Sequence, residues 1–164
     1  MTELEKALTA DSFAAPPAHI LEGVDESLAR RTHPGAPHTL YAELWHITYW
    51  QQISLDWIAG SETPIPPHAS AGFPTPAQIA AESWHALTQR FFAGLMQAAQ
   101  HAADLPNLGR AIRCPSPPPV PTRTMTIEDQ LISLAGHNAY HFGRIVLLRQ
   151  LSGAWPPASG GFTW

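Results

Sequence analysis

Residues 126–153, TIEDQLISLAGHNAYHFGRIVLLRQLSG, carry the marks of one long amphipathic helix. Thr126 is a good N-cap, and Asp129 stands at the third helical position, where its carboxylate answers the cap and favours the positive end of the helix dipole. Gly153 stops the helix, and the Pro156-Pro157 pair follows it. At about 100° per residue, Leu134, His137, His141, Ile145 and Leu148 fall on one stripe, so both imidazoles project where a core-facing helix puts its leucines. Two histidines one turn apart on an apolar stripe call for a reason. A divalent metal supplies one, because coordination satisfies ring nitrogens that apolar packing would leave unpaired.

Composition sets the outer limits. A chain of 164 residues with 45% hydrophobic content is long enough for one sizeable core and too short for two, so residues 1–164 are read as a single domain. Net charge is -4, with eight arginines and one lysine scattered along the sequence, which offers no basic tract to a phosphate backbone and disfavours nucleic-acid binding. No run of about 18 apolar residues exists, and MTELEKALTADSF has neither a basic start nor an apolar signal core. The expectation is a soluble, cytoplasmic protein with no membrane partner. Cys114 is alone, which excludes an intrachain disulfide and suits a reducing compartment. Nine histidines against one cysteine point any metal site toward imidazole and oxygen ligands.

Along the chain, residues 1–10 can form a short helix that the Asp11–Pro17 segment interrupts. A first long helix is expected from Pro17 through AHILEGVDESLARR, where Ile20, Leu21, Val24 and Leu28 keep helical spacing. A second runs from about Thr39 to Ala59 and ends at Gly60. Its stripe of Thr39, Ala42, His46, Trp50, Ile53 and Trp57 places His46 in the middle of an apolar row, like His137 and His141. Residues 61–73 read as a proline-rich crossover. Thr75 then caps a third helix with Pro76 at its first position, expected to continue to about Ala103 with a wide apolar arc. Residues 105–123 read as a second irregular connection, and no segment shows convincing strand alternation. The terminal ASGGFTW is too rich in glycine for a helix, with Phe162 and Trp164 placed to pin it to the body. Four amphipathic helices and two long connections predict an all-α four-helix bundle.

Three features together resemble a known family: a histidine within LWHITYW of the second helix, the H-x-x-x-H-x-G-x-I pattern of His137, His141, Gly143 and Ile145, and the terminal LSGAWPP…GGFTW. The sequence is similar, over about residues 15–164, to the DinB/YfiT-like superfamily of bacterial metal-binding four-helix bundles. The resemblance implies an up-down-down-up topology and a divalent metal, variously zinc, nickel, iron or manganese, held by His46, His137 and His141. It also implies a homodimer, and relatives that are thiol S-transferases or isomerases using a low-molecular-weight thiol such as bacillithiol or mycothiol. Others in the family are described as metal-dependent hydrolases.

Around this trio the sequence offers several catalytic candidates. Glu43, one turn before His46, is a general base, a fourth ligand or an acceptor behind a ligand, weighed against a solvated or capping carboxylate. Arg144 can receive an anionic substrate or snorkel at the surface, and Tyr49 can donate to a metal-bound group, as can Tyr140, or simply pack. The remaining assignments are structural: Cys114 as an inert thiol in a proline-rich loop, the tryptophans at 45, 50, 57 and 84 as core. Three neutral imidazoles leave a coordination position open, as in catalytic sites. The H-E-x-x-H base of zinc proteases is replaced by Asn138, which weakens a peptidase reading and favours thiol chemistry on a small-molecule substrate, with a hydrolase or a non-catalytic metal- or ligand-binding bundle as alternatives. A homodimer is expected through the broad apolar arc of the third helix and the tryptophan-rich second helix.

Overall fold

A computed structural model of the chain describes residues 1–9 and 15–160. The expected anchors Phe162 and Trp164 lie outside the described residues. The architecture is mostly helical, with α1 (Glu3–Thr9), α2 (Pro17–Ile20), α3 (Glu26–Ala29), α4 (Leu40–Ile58), α5 (Pro76–Ala81), α6 (Trp84–Ala103) and α7 (Ile127–Leu151). A two-stranded sheet, β1 (Ala111–Cys114) and β2 (Arg123–Thr126), interrupts the all-α pattern.

The long helices start where local chemistry says they should. Thr39 accepts a hydrogen bond from the Ala42 amide at the head of α4, and Thr126 and Asp129 form a reciprocal capping box at the head of α7. α4 is buried almost all the way round, packed against both α6 and α7, while α1 packs against the same two helices. Side-chain pairs from α4 to α7 run 43 to 141, 46 to 137 and 54 to 130, so the two helices are antiparallel. One core cluster, including Tyr41, Leu44, Ile47, Leu87, Phe91, Leu131 and Ile145, fills the space between them. Among the described residues no helix is long and apolar enough to cross a membrane.

Three expectations need correction. The helix expected from Pro17 through Arg31 is two single-turn pieces. Gly23 breaks it at φ 68°, a left-handed conformation that glycine adopts without steric cost, and Asp25 caps a fresh start by accepting from the Leu28 amide at 2.7 Å. The break lets the Val24 carbonyl accept from the Trp84 indole and Glu26 accept from the Trp84 amide, both at 2.7 Å, which ties this segment to α6. The helix expected from Thr75 to Ala103 is likewise divided: Glu82 is extended and Ser83 caps α6 anew. The Glu82 carbonyl, released from helical bonding, accepts from the Tyr41 hydroxyl at 2.9 Å.

The third correction concerns residues 105–123, which end in a β-hairpin. Ala111 pairs with Thr126 and Cys114 with Arg123 in antiparallel register, with the prolines from Pro115 to Pro121 in the connection between the strands. Ile112 and Cys114 point inward, and β1 packs on α4. Cys114 therefore sits on a strand and not in a loop. Burial raises its thiol pKa, in keeping with the inert reading.

Candidate metal centre

His46 on α4 and His137 and His141 on α7 meet in the antiparallel interface, each offering a ring nitrogen within 4.8 Å of the other two. His46 is 6% and His141 5% exposed, whereas His137 is less deeply covered and lines a cavity. The helical pattern alone brings the α7 pair together, and the interface adds His46 opposite His137, their Nε2 atoms 3.1 Å apart.

The outer nitrogens decide what the inner ones can do. His46 Nδ1 donates to the Gly72 carbonyl at 2.9 Å, so its Nε2 presents a lone pair. His141 Nδ1 donates to Glu43 at 2.7 Å, which leaves its Nε2 as the free nitrogen. The 3.1 Å contact between the two Nε2 atoms is a hydrogen bond when His137 carries its proton on Nε2, and with that proton moved to Nδ1, which has no partner, both Nε2 lone pairs turn to the same point. Desolvation first, and then neighbouring imidazoles, hold both His46 and His137 down to about 4, well below the ordinary histidine value. Three imidazoles that each bring a ring nitrogen within 4.8 Å of the other two are the donor set a divalent ion such as zinc takes, with nitrogen distances of about 2 Å.

Glu43 is fully buried, contrary to the solvated or capping reading. One carboxylate oxygen accepts the hydrogen bond from His141 Nδ1, and the other lies 2.9 Å from an Arg144 Nη2, an ion pair by distance but one whose alignment falls short of a hydrogen bond. A carboxylate behind a ligating imidazole fixes its tautomer and raises its basicity. Arg144, rather than snorkelling free, is half-buried and spans from Glu43 to a cavity of about 280 Å³ lined also by His38, Pro37 and Leu147.

Of the tyrosines, Tyr140 is exposed and sets its ring edge-on to His141, with centroids 4.9 Å apart. Tyr49 stacks on Trp45 at 5.3 Å. Among the tryptophans, Trp45, Trp57 and Trp84 are core, while Trp50 stands edge-on to both His46 and His137.

The crossover supplies residues that periodicity does not reveal. Phe73 stacks on His46 at 4.1 Å and on His38 at 3.7 Å, both nearly parallel, so its ring lies between the two imidazoles. A Cβ on Gly72 would stand 3.0 Å from the Trp50 indole nitrogen and 3.2 Å from His46 Nδ1, so this backbone approaches the ligand as only glycine allows. His38 directly precedes the cap of α4, and its own pKa is lowered, chiefly by burial. An unpaired histidine at the head of the His46 helix was the one signal available for it.

Residues 18–145 match the family model of the DinB superfamily. The chain belongs to that superfamily. The matched span contains the three histidines, Glu43, Phe73 and Arg144, and it is shorter than the 15–164 range of the resemblance. No curated protein matches the chain. Within a DinB-superfamily fold, then, α4 and α7 bury Glu43, His46 and His141 together, with His137 and Arg144 beside them.

Proposed function

We propose that the chain is a divalent-metal-dependent enzyme of the thiol-dependent S-transferase or isomerase type, acting on a small molecule in the cytoplasm, with His46, His137 and His141 as the metal ligands. The metal is zinc, nickel, iron or manganese. The observation that carries this reading is the division of labour around the cluster. Three imidazoles converge, and the one carboxylate beside them is already engaged on both oxygens.

A divalent ion on three neutral ligands keeps its charge and an open position, which lowers the pKa of a bound thiol or water. The residues around it do the rest. Gly72 and Glu43 hold the outer nitrogens of His46 and His141, so the inner nitrogens are fixed in direction toward the cluster. Trp50 and Phe73 exclude water from the His46 face. Hydrolysis requires a group to take a proton from the attacking water, and among the described residues no unengaged carboxylate adjoins the cluster. A thiol needs no such base: its S–H proton leaves to solvent, the thiolate forms a bond to an electrophilic carbon, and the leaving group departs with its electron pair. The same reading takes the bundle to be the family's up-down-down-up arrangement, in line with the antiparallel α4 and α7.

The test is turnover of a generic electrophile, such as 1-chloro-2,4-dinitrobenzene, by zinc- or nickel-reconstituted protein with bacillithiol or mycothiol. Thiol-dependent product that disappears in His141→Ala supports the reading. Cleavage of ester or amide substrates that proceeds without thiol favours a hydrolase instead. Absence of both activities with every metal tried makes the bundle a binding protein.

A further inference from the structure

On the open side of His137 lies a cavity of about 190 Å³. Its walls are apolar, built from the Trp50 and Trp57 rings, Ile65 and Leu134, and His137 forms one end. Two further lining groups, Ser54 and Gln130, are hydrogen-bonded to each other at 2.9 Å and ask nothing of a ligand. One charged residue borders the space: Arg123, on β2 of the hairpin. It is exposed, its guanidinium makes no hydrogen bond or ion pair among the described residues, and no carboxylate lines the cavity. Arg144, the arginine that the sequence singles out for anion binding, belongs to a different cavity and is already opposed by Glu43.

We propose that this cavity is the substrate pocket of the site described above, and that it takes a small aromatic or branched apolar carboxylate. The apolar body lies against Trp50, Ile65 and Leu134, the carboxylate meets Arg123 at the rim, and the remaining end faces His137. Size and charge both select this class. An apolar cavity of about 150 Å³ accommodates benzene, so about 190 Å³ has room for a single ring or branched chain with a short substituent. An unpaired guanidinium at the edge of an apolar space, with no acid to neutralise it, favours a planar anion that it can hold through two parallel hydrogen bonds. The inference rests on the assignment of this face as the reactive one, and its test is independent of metal.

Phenylacetate and its neutral isostere phenylacetamide serve as probes, titrated into metal-free protein while tryptophan fluorescence and backbone amide shifts of residues 123, 133 and 137 are followed. Removing the metal prevents direct carboxylate coordination from imitating the arginine. Phenylacetate should bind at least about tenfold more tightly than phenylacetamide, as a charge-assisted contact at a partly desolvated rim provides. Arg123→Gln, at an exposed strand position, should keep the fold and abolish the preference. Leu134→Trp, which fills the cavity, should abolish binding of both. Equal affinity for the two probes, an undiminished preference in Arg123→Gln, or no saturable binding of either probe would overturn the proposal. Metal content is measured on separate samples, so a chain that holds its ion yet fails these titrations refutes the pocket assignment alone.

Discussion

Glu43 holds the centre together from behind, and its replacement separates two ways a carboxylate can matter. Glu43→Gln keeps the volume and a hydrogen-bonding end group but loses the charge that favours a lone pair on His141 Nε2 and that opposes Arg144. Outer partners of this kind are worth about 10–100-fold in metal affinity. The expected outcome is a loss of that size by competitive chelator titration, with unchanged helical circular dichroism; an unaltered affinity would show that His141 needs no carboxylate. The two histidines with lowered pKa give a second prediction. Folded, His46 and His137 stay neutral down to about pH 4, while their unperturbed value is 6.5. Between those limits the unfolded chain binds more protons than the folded one, so stability of the metal-free protein is full above about pH 6.5 and is lost as pH falls toward 4. Urea unfolding at pH 5 against pH 7 should show a drop on the order of 2 kcal/mol for each of the two histidines. The drop should shrink in His46→Ala/His137→Ala, and a flat profile in the parent chain would contradict the burial argument.

At the scale of elements, the crossover does more than connect. The 3₁₀ turn Ala69–Gly72 delivers the Gly72 carbonyl to His46 and places Phe73 between His46 and His38. Gly72→Ala presses a methyl group against the Trp50 indole and the His46 ring, and since both neighbours are packed, the turn must retreat. Metal affinity should fall several-fold and stability by about 1 kcal/mol, the usual cost of slight overpacking. The slowly exchanging Nδ1 proton of His46 should disappear from the imidazole region of the proton NMR spectrum; its persistence would mean that the turn does not hold the ring. The limits of sequence reading have the same origin. The histidines were legible because imidazoles at i and i+4 on an apolar stripe conflict with their surroundings, and α7 was legible because its cap, period and stop agree. Gly72, Phe73 and His38 sit in segments without a period, where nothing local says which residue faces the site. The four-residue strands are too short for alternation to stand out, even though Ile112 and Cys114 do alternate inward. The divided helices were a different failure: the spacing of Ile20, Val24 and Leu28 outweighed Gly23, Asp25 and Ser83, whose stop and cap signals were in plain view.

Across the whole molecule, apolar surface left outside the core bears on assembly. The tryptophan-rich α4 is consumed by the core, and α6 exposes Met96, whereas α7 leaves Ile132, Tyr140, Leu147 and Leu151 more than half exposed. A homodimer is therefore proposed with α7 contributing to the contact, in place of the α6 and α4 faces that the sequence suggests. Light scattering at micromolar concentration should give twice the 17.9 kDa chain mass, and Leu147→Glu/Leu151→Glu should give the chain mass; a monomeric parent chain would rule the dimer out. The extent of the core also determines how the metal hypothesis can be tested. Burial distributed over the long and short helices and a hairpin does not depend on an ion in the way a zinc finger does, so ligands can be removed without losing the fold. Elemental analysis of purified protein, dialysed against a weak chelator, is then the direct measurement. The parent chain should retain one divalent ion per chain, and His137→Ala/His141→Ala should retain none while keeping its helical circular dichroism. One tightly held ion per chain in the folded double variant, or none in the parent after incubation with zinc, nickel, iron and manganese in turn, would contradict the account.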